Sequence, residues 1–140
     1  MPLPPANAPC PCGSARKAKS CCLPVLEGAP AATPEALMRS RYTAYACGAV
    51  AHLIRTTDPA GPHHQGDARG WAEDLRRYCA QVRFTGLCVL DSSTDGDRGH
   101  VSFRATFEHA GQTHALAEHS RFRRLDGRWV YTDGAPLPPA

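Results

Sequence analysis

Four of the seven cysteines of this 140-residue chain fall between positions 10 and 22, as Cys10-Pro11-Cys12-Gly13 and then Cys21-Cys22. Thiolates are soft ligands, and four of them about 2.3 Å from one ion complete a tetrahedral zinc site. Pro11 presets φ for a sharp turn between the first two, and Gly13 permits a tight exit. The chain then loops out and returns with Cys21 and Cys22. Adjacent side chains diverge, so both reach one ion only if the backbone bends there. Arg16, Lys17 and Lys19 lie in the loop. Four thiolates around Zn²⁺ carry a net −2, which these cations offset in part. The same count takes the formal chain charge from +3 to +1.

Three other uses of the cysteines compete. Disulfides within Cys-x-Cys or a vicinal pair are strained. Met1 to Pro9 also lacks the basic start and apolar run of a secretory signal, so a cytoplasmic location is expected, where thiols stay reduced. An iron–sulfur cluster takes four thiolates as well, but this spacing matches none of its usual runs. A fortuitous group of free thiols is the third. Ligand type and spacing favour one zinc ion. With four protein thiolates no position is open to water, so the expected role is structural.

Other reactive residues carry weaker signals. There is no Gly-rich phosphate loop, no Ser/His/Asp arrangement and no His-Glu-x-x-His. His63-His64 sits in a Pro/Gly-rich loop and is expected to be solvated. His52 and His119 are expected at the surface, and His114, with apolar neighbours, fits a core histidine. Cys47, Cys79 and Cys88 are expected to be small buried hydrophobes. Cys47 lacks a neighbouring base that would make it a nucleophile. No catalytic residue is assigned.

The elements that position these residues form one compact domain with a modest core, as 140 residues allow. The charge is mildly basic without a long basic run, so nucleic acid is not a compelled partner. No apolar stretch approaches the ~20 residues that span a bilayer. The Pro/Ala-rich ends, Met1–Pro9 and Ala135–Ala140, are expected to be loose. Thr33-Pro34-Glu35 combines an N-cap, Pro at the first helical position and an early acid, and Gly48 supplies a stop. A second short helix covers Val50 to Thr57. A third starts at Asp67, with Trp71, Leu75, Tyr78 and Val82 along one stripe. Four strands follow: Phe84–Asp91, Gly99–His109, Gln112–Leu125 and Arg128–Asp133. Asp126-Gly127 is a strong type I′ hairpin signal and Ala110-Gly111 a weaker one. Three helices followed by an antiparallel sheet form an α+β pattern.

Two-residue turns fix the register. They place Arg124 opposite Trp129, Phe122 opposite Tyr131 and Ser120 opposite Asp133. They also pair Phe107 with His114, Ala105 with Leu116, Phe103 with Glu118 and Val101 with Ser120. All these share one apolar face, which must cover the helices. His100, Ser102, Arg104, Thr106, Glu108, His119, Arg121 and Arg123 lie on the other. Glu118 and Asp133 are the odd members of the inner face, where an unpaired carboxylate is costly. Arg39 or Arg41 on the first helix would pair with them. Such a group is either a buried ion-pair network or the polar floor of a ligand pocket walled by Tyr42, Trp71, Phe103, Trp129 and Tyr131.

Cys10-Pro-Cys12-Gly-Ser with Cys21-Cys22 resembles the SEC-C zinc motif, named for the C-terminus of the secretion ATPase SecA. Leu37-Met-Arg-Ser-Arg-Tyr42, Glu118-His-Ser-Arg-Phe122 and Trp129-Val-Tyr-Thr-Asp-Gly134 resemble the bacterial YchJ-type family. The resemblance implies a SEC-C-like zinc segment over residues 1–30 and a nuclear-transport-factor-2-like domain over 31–140. In that fold a curved sheet wraps around helices and often leaves a conical pocket. Some relatives carry a second SEC-C motif at the C-terminus; this sequence does not.

The biochemical activity is not fixed by the sequence, which favours the first of two functions. One is an interaction module, whose zinc knuckle presents Arg16, Lys17 and Lys19 to a protein or ribosome-associated partner, as the SecA analogy implies. The alternative is a small-molecule-binding or enzymatic cone using Glu118, Asp133 and Arg39 or Arg41. Nothing in the sequence compels an enzyme.

Overall fold

A computed structural model describes residues 3–137. Its elements run as a 3₁₀ turn (Ala18–Ser20), α1 (Cys22–Leu26), α2 (Pro34–Cys47), α3 (Val50–Arg55), α4 (Ala68–Gln81), β1 (Val82–Asp95), β2 (Arg98–His109), β3 (Gln112–Leu125) and β4 (Arg128–Pro136). The strands form one antiparallel sheet in the order β1-β2-β3-β4, and the sheet curves around the helices. The expected α+β architecture is present.

The helix signals act as their chemistry dictates. Thr33 Oγ1 accepts from the Ala36 N–H at 3.0 Å, with Pro34 as the first helical residue of α2. Gly48 ends α2 in the left-handed region at φ 76°. Asp67 Oδ1 accepts from the Gly70 N–H at 3.1 Å and starts α4. On α4 Trp71 and Cys79 are buried, while Tyr78 is exposed. α3 stops at Arg55, earlier than its periodicity suggests, because the next residues are taken by the sheet. The Asp58 N–H donates to Tyr131 O, and the Tyr131 N–H to Thr56 O, both at 2.8 Å. This short pairing covers the outer edge of β4, which would otherwise be open.

Asp126 and Gly127 both have positive φ (51° and 79°), as a type I′ turn requires, and Ala110 and Gly111 behave alike. The β2–β3 register matches the expectation throughout, with Phe103 opposite Glu118 and Val101 opposite Ser120. The β3–β4 register matches only near the turn. Arg124 faces Trp129 and Phe122 faces Tyr131, but Arg121, not Ser120, faces Asp133. Thr132 is the extra residue of a β-bulge, and one extra residue sends every later side chain to the opposite face. Asp133 therefore leaves the inner face, and Gly134 takes its place opposite Ser120.

One core runs through the molecule. Leu37, Met38, Leu53, Val101, Phe103 and Trp129 cluster with Cys10, Cys12, Cys22 and Leu26 of the N-terminal segment. The described parts of the ends are not loose. Ala18 and Lys19 donate backbone hydrogen bonds to Ala8 O and Ala6 O, and the Leu137 N–H donates to Ala117 O. Ala135 and Pro136 belong to β4. The rest of both ends lies outside the described residues.

Candidate metal centre and cone cavity

The N-terminal segment folds so that its four thiols converge. The Gly13 N–H donates to Cys10 O at 3.1 Å and Gly13 has φ 77°, which turns the chain after Cys12. Cys21 (φ −137°, ψ −106°) sits between the 3₁₀ turn and α1, supplying the bend that lets it and Cys22 face the same point. All four Sγ atoms lie within 4.8 Å of one another. Cys12 and Cys21 are 3.5 Å apart, and Cys21 and Cys22 3.9 Å. Four thiolates at tetrahedral corners around one ion stand about 3.8 Å apart, so the group could hold a metal ion. No disulfide joins them.

The surroundings suit a negatively charged centre. Ser14 Oγ is 3.1 Å from Cys21 Sγ, and Arg16 Nη2 donates to that sulfur at 3.8 Å. Thr43 Oγ1 donates to Cys22 Sγ at 3.4 Å. Arg39 Nη1 donates to Cys12 O at 3.0 Å and to its Sγ at 3.8 Å, while Nε pairs with Glu35 at 3.0 Å. Hydrogen bonds among the sulfurs set their proton affinities apart. The bond from Cys22 draws Cys12 down to about 4, and the same bond and burial push Cys22 up. A bound cation replaces those protons.

A second site lies between α2 and the sheet, where a cavity of about 150 Å³ remains. One face of α2 supplies Met38, Arg41, Tyr42 and Tyr45, spaced i, i+3, i+4 and i+7. Phe84, Phe103, Ala105 and Phe122 form the sheet wall. Tyr78 and Leu116, both large and exposed, line the same space where it meets solvent. The polar floor is Arg41, Glu118, Ser120 and Tyr131. Glu118 Oε2 accepts from Ser120 Oγ at 2.6 Å and from the Tyr131 hydroxyl at 3.2 Å. Burial, then the Glu118 charge, push the Tyr131 phenol well above its usual range. Arg41 is buried, lies 4.8 Å over the Tyr131 ring, and donates through Nη1 to Leu53 O, Thr56 Oγ1 and Thr57 Oγ1. Arg41, Tyr45 and Tyr131 also wall an adjoining chamber of about 250 Å³, which Trp71 and His63 enclose.

The expected site residues thus divide among several places. Arg41, Tyr42, Phe103, Glu118 and Tyr131 meet in the cone. Arg39 does not join them; it faces the cysteines, because its position on α2 points at the N-terminal segment. Trp71 stands in the adjoining chamber. Trp129 lines a different groove with Leu37, Arg55 and Arg128, and Arg124 lies 4.7 Å over its ring. Asp133, moved outward by the bulge, binds Arg121 Nε and Nη2 through both oxygens at 2.6 Å. Glu118 pairs with hydroxyls rather than with an arginine. Phe122 was legible as an inner-face position but carried no chemical signal, and Tyr45 and Phe84 gave none either. His52, expected at the surface, is buried: its Nε2 lies 2.8 Å from Ser40 Oγ, and Arg55 Nη2 lies 2.9 Å from Nδ1. Asp58 gave no motif signal either. It is buried beside Thr132 and held by Arg123 Nε and Nη2 at 2.5 and 2.7 Å.

Known proteins agree with this arrangement. Residues 33–134 match the model of the YchJ middle NTF2-like domain, and residues 7–24 match the SEC-C motif. A UPF0225 protein of Streptomyces coelicolor is 41% identical over 135 residues, covering 96% of this chain and 97% of its own length. A UPF0225 protein of Deinococcus radiodurans is 43% identical over 133 residues, covering 94% and 92%. The solution structure of a SEC-C motif containing protein from Rhodopseudomonas palustris superposes with a TM-score of 0.80 at 37% identity, over 94% of this chain and 100% of that one. Fold and cysteines define the class, an NTF2-like cone carrying a SEC-C motif. Within that class, the chain belongs to the YchJ (UPF0225) family.

Proposed function

We propose that this protein is a zinc-stapled small-molecule-binding domain. The observation that carries the reading is the cone cavity, whose aromatic walls enclose a few convergent polar groups, the composition of ligand sites in general. Zinc suits the knuckle because four thiolates at these spacings match its preferred ligand set. When bound there it supplies no open position, so its contribution is to hold the N-terminal segment on α2. Such reduced thiols suit the cytoplasm. Among the described residues no helix is long and apolar enough to cross a membrane. The binding reading is tested by an NMR titration of the metal-loaded protein with toluene, a neutral probe of the cavity's size. Saturable shifts confined to amides near Met38, Tyr45, Phe103 and Glu118 are expected; their absence would refute a binding cone.

A second reading draws on the knuckle surface. Arg16, Lys17 and Lys19 are exposed, and Lys17 and Lys19 make no salt bridge among the described residues. They offer a small cationic face to a protein or ribosome-associated partner. Co-sedimentation with ribosomes that is lost on the double change Lys17→Glu, Lys19→Glu would support it; sedimentation indifferent to the change would remove it.

A further inference from the structure

Arg41 is a buried cation with no anion in contact among the described residues; the Glu118 charge acts on it only at longer range. No carboxylate of the described residues lies within 4.0 Å of it, although burying a guanidinium is costly unless it is paired. Its three hydrogen bonds all leave through Nη1. Among the described residues Nε and Nη2 have no acceptor within 3.5 Å, the Tyr45 hydroxyl standing near the guanidinium, yet neither is a sealed, unsatisfied atom. They therefore face the open space that Arg41 lines on both its sides. That edge is a chemical fork. Two other arginines of this chain show its use: Arg121 and Arg123 each grip an aspartate through Nε and Nη2, at 2.6 and 2.6 Å and at 2.5 and 2.7 Å. Planar two-point pairing of this kind is the strong mode of carboxylate recognition by arginine.

Glu118 lines the same cavity. Its Oε2 is occupied by Ser120 and Tyr131, and Oε1 has no donor among the described residues. A carboxylate free at one oxygen selects a ligand that brings a hydrogen-bond donor. It also disfavours a doubly charged phosphate, whose second charge would face it. The walls between these two groups are aromatic and aliphatic.

We infer that the cone recognises a small organic acid that also carries a hydrogen-bond donor, an α-hydroxy or α-amino acid with an apolar body. Its carboxylate lies on the Nε/Nη2 fork of Arg41, and its hydroxyl or amine donates to Glu118 Oε1. The apolar body fills the chamber between α2 and the sheet. This assignment rests on the reading of the cone as a binding site and adds the chemistry that the site selects.

The test is a calorimetric titration of the metal-loaded protein with probes that share a phenyl body: 3-phenyllactate, 3-phenylpropionate, 3-phenylpropan-1-ol and phenethylamine. The inference predicts that 3-phenyllactate binds at least about tenfold more tightly than the alcohol, with 3-phenylpropionate between them. Arg41→Gln should bring acid and alcohol to equal affinity. Glu118→Gln should keep the advantage of acid over alcohol and lose that of phenyllactate over phenylpropionate. The wild-type ranking alone decides the matter if a variant fails to fold. An alcohol or amine that binds as tightly as the acids overturns the ligand class and leaves the cone reading standing. Binding by none of the four overturns both.

Discussion

Gly134 shows how one residue sets the site. The bulge at Thr132 brings it opposite Ser120, and a Cβ there would overlap the Glu118 carboxylate. Gly134→Ala should therefore displace Glu118 from Ser120 and Tyr131 and lower stability by about 1–3 kcal/mol. Urea denaturation measures this, and an unchanged midpoint would contradict the packing described. His52 makes a second prediction at this scale. Burial, reinforced by the charges of Arg55 and Arg41, lowers it from the usual 6.5 to about 3. The unfolded chain then binds the extra proton first as pH falls. Stability is fully present above pH 6.5 and drains as pH drops toward 3, by up to about 2 kcal/mol at pH 5. Denaturation curves at pH 7 and pH 5 test it, with His52→Gln expected to flatten the dependence. At the knuckle, Cys12→Ser should remove stoichiometric metal, as read by elemental analysis of untagged protein; full retention would reject the four-thiolate site.

Among the elements, the segment after α3 matters more than its length suggests. Thr56–Asp58 pairs with β4, and Asp58 is clamped by Arg123 from the outer face of β3. That guanidinium holds the Asp58 carboxyl at about 2, so the pair stabilises the fold above the ordinary carboxylate range and is lost as pH falls through 2. Arg123 is one-third exposed, which moderates the pair. Asp58→Ala should cost about 1–3 kcal/mol and raise amide exchange in β4 first. The helices and hairpins were legible because their signals are local: Thr33-Pro34, Gly48, Asp67 and Asp126-Gly127 each act within a few residues. What depends on distant partners was not. No local pattern marks Thr132 as a bulge; its hydroxyl donates to Asp58, a partner 74 positions away in the chain. Arg39 and Arg41 differ by two positions on one helix, and only the packed structure shows that one serves the knuckle and the other the cone. His52 looked like a surface residue because its partners, Ser40 and Arg55, are matched to it by packing alone.

Across the whole molecule, α2 joins the two candidate sites. Arg39 and Thr43 touch the cysteines, while Met38, Arg41 and Tyr45 line the cavity. Because Cys10, Cys12 and Cys22 belong to the common core, removing the metal should loosen residues 3–26 before the sheet. Hydrogen exchange after chelation should show lost protection there and retained protection in β2 and β3; uniform collapse would show that the cone cannot stand without the knuckle. The central claim is that selective chemistry resides in the cone and the knuckle is its staple. A crystal structure of the metal-loaded protein grown with 3-phenyllactate tests it most directly. The carboxylate is expected on Nε and Nη2 of Arg41, the hydroxyl on Glu118, and one tetrahedral ion on Cys10, Cys12, Cys21 and Cys22. A cone closed by an Arg41–Glu118 ion pair, with no room for the acid, would contradict it.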